Sequence, residues 1–299
     1  MSTNPDTAPA SKRRGARLLR NPLIRIVVAL LSIAIPFATV ATPFNLFVTD
    51  RFLRALGALL LTAVVLGAYC LYVRWVERRV VIELSRKQAL PELASGLALG
   101  ALLFAITIGI LAAAGVYRVT GSNGWQSMVA GISGFILFGV LEEVIMRGIL
   151  FRIVEQALGS WIALGISAAI FGALHLLNPG ATLLNALAIS VEGGVLLAAA
   201  YMLTRRLWLC IGIHMAWNFT QGGIFSVAVS GGASKGLLQA RMVGPDWLTG
   251  GRFGAEASVA AWAVCAAAGI ALLVLAVKKG HIVRPFWSNR ISSDQQAKA

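Results

Sequence analysis

The chain of 299 residues is 58% hydrophobic and only 13% charged, with a positive mean hydropathy, which is more apolar surface than one soluble core of that length can hide. Its net charge of +14 arises from Lys and Arg clustered at the ends of apolar runs, where topology signals belong. These features exclude a soluble domain, argue against a nucleic-acid partner, and predict an all-α polytopic membrane bundle of about eight transmembrane helices.

Residues 1–21 are polar and basic, with Lys12, Arg13, Arg14, Arg17 and Arg20, and are read as a disordered cytoplasmic tail. The first apolar run is too long for a signal-peptide core and lacks a small-residue cleavage site, so it is expected to be retained as a span. The membrane domain is expected over residues 22–278. Span one covers about 23–48 and is interrupted by Pro36 and Pro43, which membrane helices tolerate as kinks. Span two covers about 52–73. In residues 74–92 charges alternate with Val80, Val81, Ile82, Leu84 and Leu90, the pattern of a basic amphipathic helix lying in the interface; a solvated loop is the alternative.

Span three runs over about 93–116, and Gly96 with Gly100 gives the small-xxx-small spacing of closely packed membrane helices. Span four begins near Trp125 and is long enough to continue to about Leu158, which should bring Arg152 and Glu155 into the cytoplasmic headgroups. Span five covers 161–177 and stops at Asn178-Pro179-Gly180, a turn signal. Span six covers 181–203, and span seven about 207–227. A Gly-rich stretch over 230–256 has the length of a lid or surface loop, span eight covers about 258–277, and residues 279–299 form a polar cytoplasmic tail. Of the 26 Lys and Arg, 20 fall on the side of the two termini, which predicts that both are cytoplasmic. Cys70, Cys210 and Cys265 all lie in apolar runs without paired spacing and read as small buried hydrophobes.

The chemistry gathers in span four. Leu141-Glu142-Glu143-Val144-Ile145-Met146-Arg147-Gly148 sets two carboxylates and a guanidinium in an apolar run, where each ionisable group costs roughly 2.5–3.5 kcal/mol on insertion scales. Such groups must face a partner, a cavity or a reacting centre. Glu143 and Arg147 are i,i+4 and can pair, whereas Glu142 points about 100° away. A carboxyl left in apolar surroundings has a raised pKa, which suits it to act as a base toward water and then as an acid toward a leaving amine.

Phe171 and His175 are also i,i+4, as are His214 and Asn218. If span four turns into span five near Gly159, Glu142 and His175 lie at one height, about 25 Å from the tip at 1.5 Å per residue, and can face each other. His214 lies about 12–14 Å into its span by the same rise, which places the site in the cytoplasmic half if the tip projects. Two chemistries fit this set. In one, Glu142 with His175 polarises a water while His214 and Asn218 stabilise an oxyanion. In the other, His175, His214 and a carboxylate hold a zinc ion with an open water position. Glu192, within span six, belongs to neither scheme; it is expected to face Asn185 or line the substrate path.

With these residues the sequence resembles the family of CAAX prenyl protease 2 and bacteriocin-processing (CPBP, or Abi) intramembrane endopeptidases. The family motifs EExxxR, FxxxH and HxxxN stand here as Glu142-Glu143-(x3)-Arg147, Phe171-(x3)-His175 and His214-(x3)-Asn218. The resemblance covers about residues 125–220, and residues 78–84 and 249–258 also look like features of bacterial members. It implies an eight-helix membrane protease in the bacterial cell membrane. Glu142 and His175 would activate water, His214 and Asn218 would form the oxyanion site, and Glu143, Arg147 and Phe171 would support them. The implied substrate is a peptide or membrane protein, without implying a prenylated CAAX tail. Members are labelled metalloproteases, yet a metal-free glutamate mechanism is equally compatible; if a metal such as zinc is used, Glu142, His175 and His214 are its ligands. The rival readings are a non-catalytic binding or immunity protein using the same residues structurally, and a proton-coupled transporter, for which the halves should show internal repeats.

Overall fold

The computed structural model describes Leu19 and residues 21–287. The N-terminal tail expected over residues 1–21 and most of the C-terminal tail therefore lie outside the described residues. Seven helices among those described are long and apolar enough to cross a membrane: α1 Pro22–Phe47, α2 Arg51–Val76, α3 Arg86–Ala113, α4 Trp125–Leu158, α5 Ser160–Leu177, α6 Leu183–Thr204 and α8 Val259–Lys278. The chain is an integral membrane protein on that count. The expected seventh span is the shorter α7, in which Trp208–Asn218 is continued by the π-helical turn Phe219–Ile224.

Helix starts follow local chemistry. The Asn21 side chain accepts from the Leu23 and Ile24 N–H groups ahead of Pro22, and the Asp50 carboxylate caps α2 through the Leu53 N–H. Thr182 and Asn185 form a reciprocal capping box at α6, and Ser258 caps α8 through the Ala261 N–H; each satisfies donors that the first turn leaves unpaired. Asn185 is thus committed to the cap and does not face Glu192. Pro36 and Pro43 sit inside α1 as the sequence predicts.

α6 is the centre of the bundle. Of its apolar window 72% is buried inside the protein, against 11% for α1, which leaves most of α1 to lipid. The small-residue spacing of α3 meets α7: a Cβ on Gly100 would lie 2.2 Å from the Ile213 carbonyl oxygen, and one on Gly96 would lie 2.4 Å from that of Leu209. Backbone therefore packs on backbone, and this contact fixes the rotation of the helix that carries His214. The α4–α5 hairpin turns at Gly159, as expected, with φ +84 in a region that favours glycine. Its tip is held by the chain after α8: the Ser160 N–H donates to the Val283 carbonyl at 3.0 Å, and the Val283 N–H donates to Ser160 Oγ at 2.8 Å.

Two expectations are corrected. The interfacial helix over residues 74–92 does not form. Helix α2 ends in a π-helical turn at Val76, Arg78 takes φ +54, and regular α-helix resumes only at Ala89. Charge satisfaction outweighs amphipathic periodicity here: Glu77 turns inward to Arg25 at 2.8 Å, Arg79 at 2.7 Å and Arg152 at 2.9 Å, while Glu83 meets Arg79 at 2.9 Å. Burial would raise the Glu77 carboxyl, but Arg152 above all, with Arg79 and Arg25, outweighs it and holds that carboxyl at about 2.

Arg152 and Glu155 are buried inside the protein. Arg152 joins the Glu77–Glu83 cluster, and Glu155 binds Arg205 and the Ser160 hydroxyl. The Gly-rich stretch over 230–256, finally, contains a strand. β2, Leu238–Met242, pairs antiparallel with β1, Tyr117–Ser122, with an irregularity between Val119 and Gly121.

Candidate active site

The site is assembled from α4, α5, α6, α7 and the loop before α8. In α4 the helix widens into a π-helical turn over Val144–Phe151, immediately after the two glutamates. Such turns are rare and concentrate at functional sites. The Gly148 carbonyl in this turn accepts from Arg152 Nε at 2.7 Å and from the Tyr69 hydroxyl at 3.1 Å, which ties the widened segment to α2.

Glu143 and Arg147 are fully buried and paired at 2.7 Å. The guanidinium also donates to the carbonyl of Gly193 and, at 3.2 Å, to that of Gly194, both in the π-helical turn Ser190–Leu196 of α6. It lies 5.0 Å from the Phe171 ring centroid, close enough for a cation–π contact. Gly193 is required there, since a Cβ would stand 2.1 Å from the Phe171 ring. Glu143 Oε1 receives a second partner, His214 Nδ1, at 2.9 Å. A carboxylate accepts only, so this contact places a proton on Nδ1 of His214 and leaves Nε2 turned away from Glu143.

Glu142 is set apart from its neighbour, as the 100° offset requires. Its side chain is 31% exposed and its Oε2 lies 3.9 Å from His214 Nε2, too long for a direct hydrogen bond. That oxygen is buried without a hydrogen-bond partner among the described residues. Glu142 lines a cavity of about 200 Å³ together with Ile145, Met146, Phe171, Leu174, His175 and Asn178. His175 sits where α5 tightens into a 3-10 turn, and its Nδ1 donates to the Phe171 carbonyl at 2.8 Å. This contact leaves Nε2 as an acceptor in the neutral ring.

Behind Phe171 and His175 lies a second, smaller cavity of about 20 Å³, lined also by Glu192, His214, Asn218, Ser230 and Glu256. The structure therefore brings the three motif pairs to one place, with Glu142 on one side of the Phe171–His175 partition and Asn218 on the other. His214 lines the smaller cavity, with its Nε2 3.9 Å from Glu142 Oε2. The sequence flagged Glu192 without a role and missed Glu256. The Glu256 carboxylate accepts from the Ser230 N–H at 2.6 Å, and burial pushes it up to about 7, against hydrogen bonds from Ser230 and Gln221 that draw it down. Phe253, three residues earlier, packs with Phe171, Met146 and Ile189. The only forward signal for this segment was its likeness to a family feature, because a glycine-rich loop has no periodicity from which to place a side chain.

Among the described residues no three His, Cys, Asp or Glu side chains are grouped as a metal ion requires. The zinc set weighed from the sequence, Glu142, His175 and His214, is thus not assembled in ligating geometry, and the label of metalloprotease finds no support in the donor arrangement.

The fold and the site together define a polytopic helical membrane protein with a polar, cavity-lining centre inside its spans. Within it, residues 123–220 match the family model described as type II CAAX prenyl endopeptidase, Rce1-like, so this third of the chain is similar to that family. The matched segment coincides with the core delimited by the motifs, at 125–220. No curated protein and no solved structure matches the chain significantly.

Proposed function

We propose that the chain is an intramembrane endopeptidase that hydrolyses a peptide bond in a peptide or membrane-protein substrate. The observation that carries this reading is Glu142, whose Oε2 has no hydrogen-bond partner among the described residues 3.9 Å from His214 Nε2, and whose side chain lines one cavity with His175. A water held in that cavity between the Glu142 carboxylate and the His175 imidazole is the nucleophile that amide hydrolysis needs. Glu142 takes its proton, His175 Nε2 accepts from it and orients it, and the water oxygen attacks the carbonyl carbon.

The developing oxyanion needs donors. Asn218 supplies an amide N–H. His214, held at Nδ1 by the Glu143 carboxylate, supplies one from Nε2 in its imidazolium form. Glu143, Arg147 and Phe171 are then the support: the ion pair holds His214, and the ring holds the guanidinium and His175. We place the site in the bacterial cell membrane with both chain termini cytoplasmic, on the charge asymmetry of the connecting segments.

The test is cleavage of a panel of quenched fluorescent membrane peptides by detergent-purified wild type, Glu142→Gln and His175→Ala, with thermal stability measured in parallel. The proposal expects both variants to lose cleavage while melting near wild type. Undiminished cleavage by Glu142→Gln would remove it. Loss of stability together with function would instead favour a non-catalytic binding or immunity protein built on the same residues.

A further inference from the structure

The small cavity behind the Phe171–His175 partition contains more acid than the proposed reaction has used. Glu192, about nine-tenths buried, points into it from α6 and accepts a hydrogen bond from no described residue. Glu256 enters from the loop before α8 and is held by the Ser230 N–H. The cavity, at about 20 Å³, has room for one water. Two carboxyls facing so small a space are not both charged at low cost, and such pairs share a proton.

We propose that Glu192 and Glu256 hold one proton between them and, through a water in this cavity, deliver it to the leaving amine, so that Glu142 serves as the base only. The inference rests on the endopeptidase reading and assigns it a second proton path. As the water oxygen bonds to the carbonyl carbon, its proton passes to Glu142. When the C–N bond breaks, its electron pair stays on nitrogen. Nitrogen takes a proton from the cavity water, which is replaced by the one the carboxyl pair held. After the products leave, the proton on Glu142 passes by way of water to the ionised pair, and both sites return to their starting state.

The placement supports this division. Glu142 lines only the larger cavity and the two other glutamates only the smaller, while Phe171 and His175 border both. Base and proton source thus line two different cavities that meet at Phe171 and His175.

A leaving-group comparison tests it. A quenched peptide cleaved by wild type is compared with its analogue in which the scissile amide is an ester, whose alkoxide departs with far less need of a proton. Glu192→Gln, Glu256→Gln and the double variant are expected to cut amide turnover about tenfold to hundredfold, within the range of general-acid effects, with KM nearly unchanged and ester turnover within about twofold of wild type. Retained ester cleavage also certifies the fold of each preparation. Equal losses on amide and ester, or no loss on either, would overturn the proposal. Undiminished cleavage of both substrates by Glu142→Gln would instead overturn the endopeptidase reading itself.

Discussion

Adjacent glutamates with opposite surroundings make a sharp test. Glu143 is fully buried, and its Oε1 serves both Arg147 and His214; Glu142 is 31% exposed and accepts no hydrogen bond at its buried oxygen. Glu143→Gln keeps the shape and removes the charge, leaving the Arg147 guanidinium with neutral partners and no counter-charge. Stranding a buried charge in this way costs about 3–5 kcal/mol. At about 2 °C per kcal/mol for a chain of this size, Tm should fall by about 6–10 °C. Glu142→Gln disturbs no bond, so its effect should stay within about 0.5 kcal/mol, or about 1 °C, while cleavage falls about 10²- to 10⁴-fold. Intrinsic tryptophan fluorescence on heating detergent-purified protein reads the first quantity, and peptide cleavage reads the second. A third variant, Glu143→Leu with Arg147→Met, should recover most of the lost stability, because apolar replacement of a whole buried pair is often neutral. The reasoning is refuted if Glu142→Gln melts as low as Glu143→Gln, or if Glu143→Gln melts within about 1 °C of wild type.

Gly100→Leu should separate α3 from α7 and misplace His214, since even a Cβ would stand 2.2 Å from the Ile213 carbonyl; an unfolding loss of at least about 2 kcal/mol is expected from overpacking, with cleavage lost in step. The Glu77 carboxyl is held at about 2, below its ordinary 4.5. A depressed folded-state value contributes stability that is present above the unfolded value and is lost as pH falls from about 5 toward 2. Allowing for solvent screening, this is worth about 1–3 kcal/mol, and Glu77→Gln should flatten melting temperature against pH over that window. Chelator dialysis should leave cleavage unchanged, because no three donors are grouped among the described residues; activity lost on chelation and restored by zinc would contradict this.

The membrane spans were legible because lipid demands long apolar runs, and the site was legible because Glu142, Glu143 and Arg147 are so costly inside one that their presence is itself information. Helical spacing then separated Glu142 from the Glu143–Arg147 pair, and the hairpin count across Gly159 brought His175 to the cavity that Glu142 lines. What the sequence misplaced depends on contacts between distant segments. Glu77 and Glu83 sit in a stretch with respectable amphipathic character, and only Arg25 and Arg152, which lie 52 and 75 residues from Glu77, make the inward fold preferable. The β1–β2 pairing joins segments separated by more than a hundred residues, and neither strand has enough alternation to announce itself. Glu256 was hidden for the same reason, since a loop residue acquires its environment wholly from what the loop is folded against.

The widened turn at Val144–Phe151 has a consequence for how this protein can change. Before it, α4 directs Glu142 and Glu143 to the site, where Arg147 from its first half pairs with Glu143; after it, the same helix directs Arg152 to the Glu77–Glu83 cluster and Glu155 to Arg205. Each residue added to or removed from a helix rotates everything beyond it by about 100°. The two sets of charges are satisfied together only at the present length of that turn. Replacement of its apolar side chains by others of similar size should therefore be tolerated, whereas deletion of any single residue there would force the helix to abandon one charged cluster in order to keep the other.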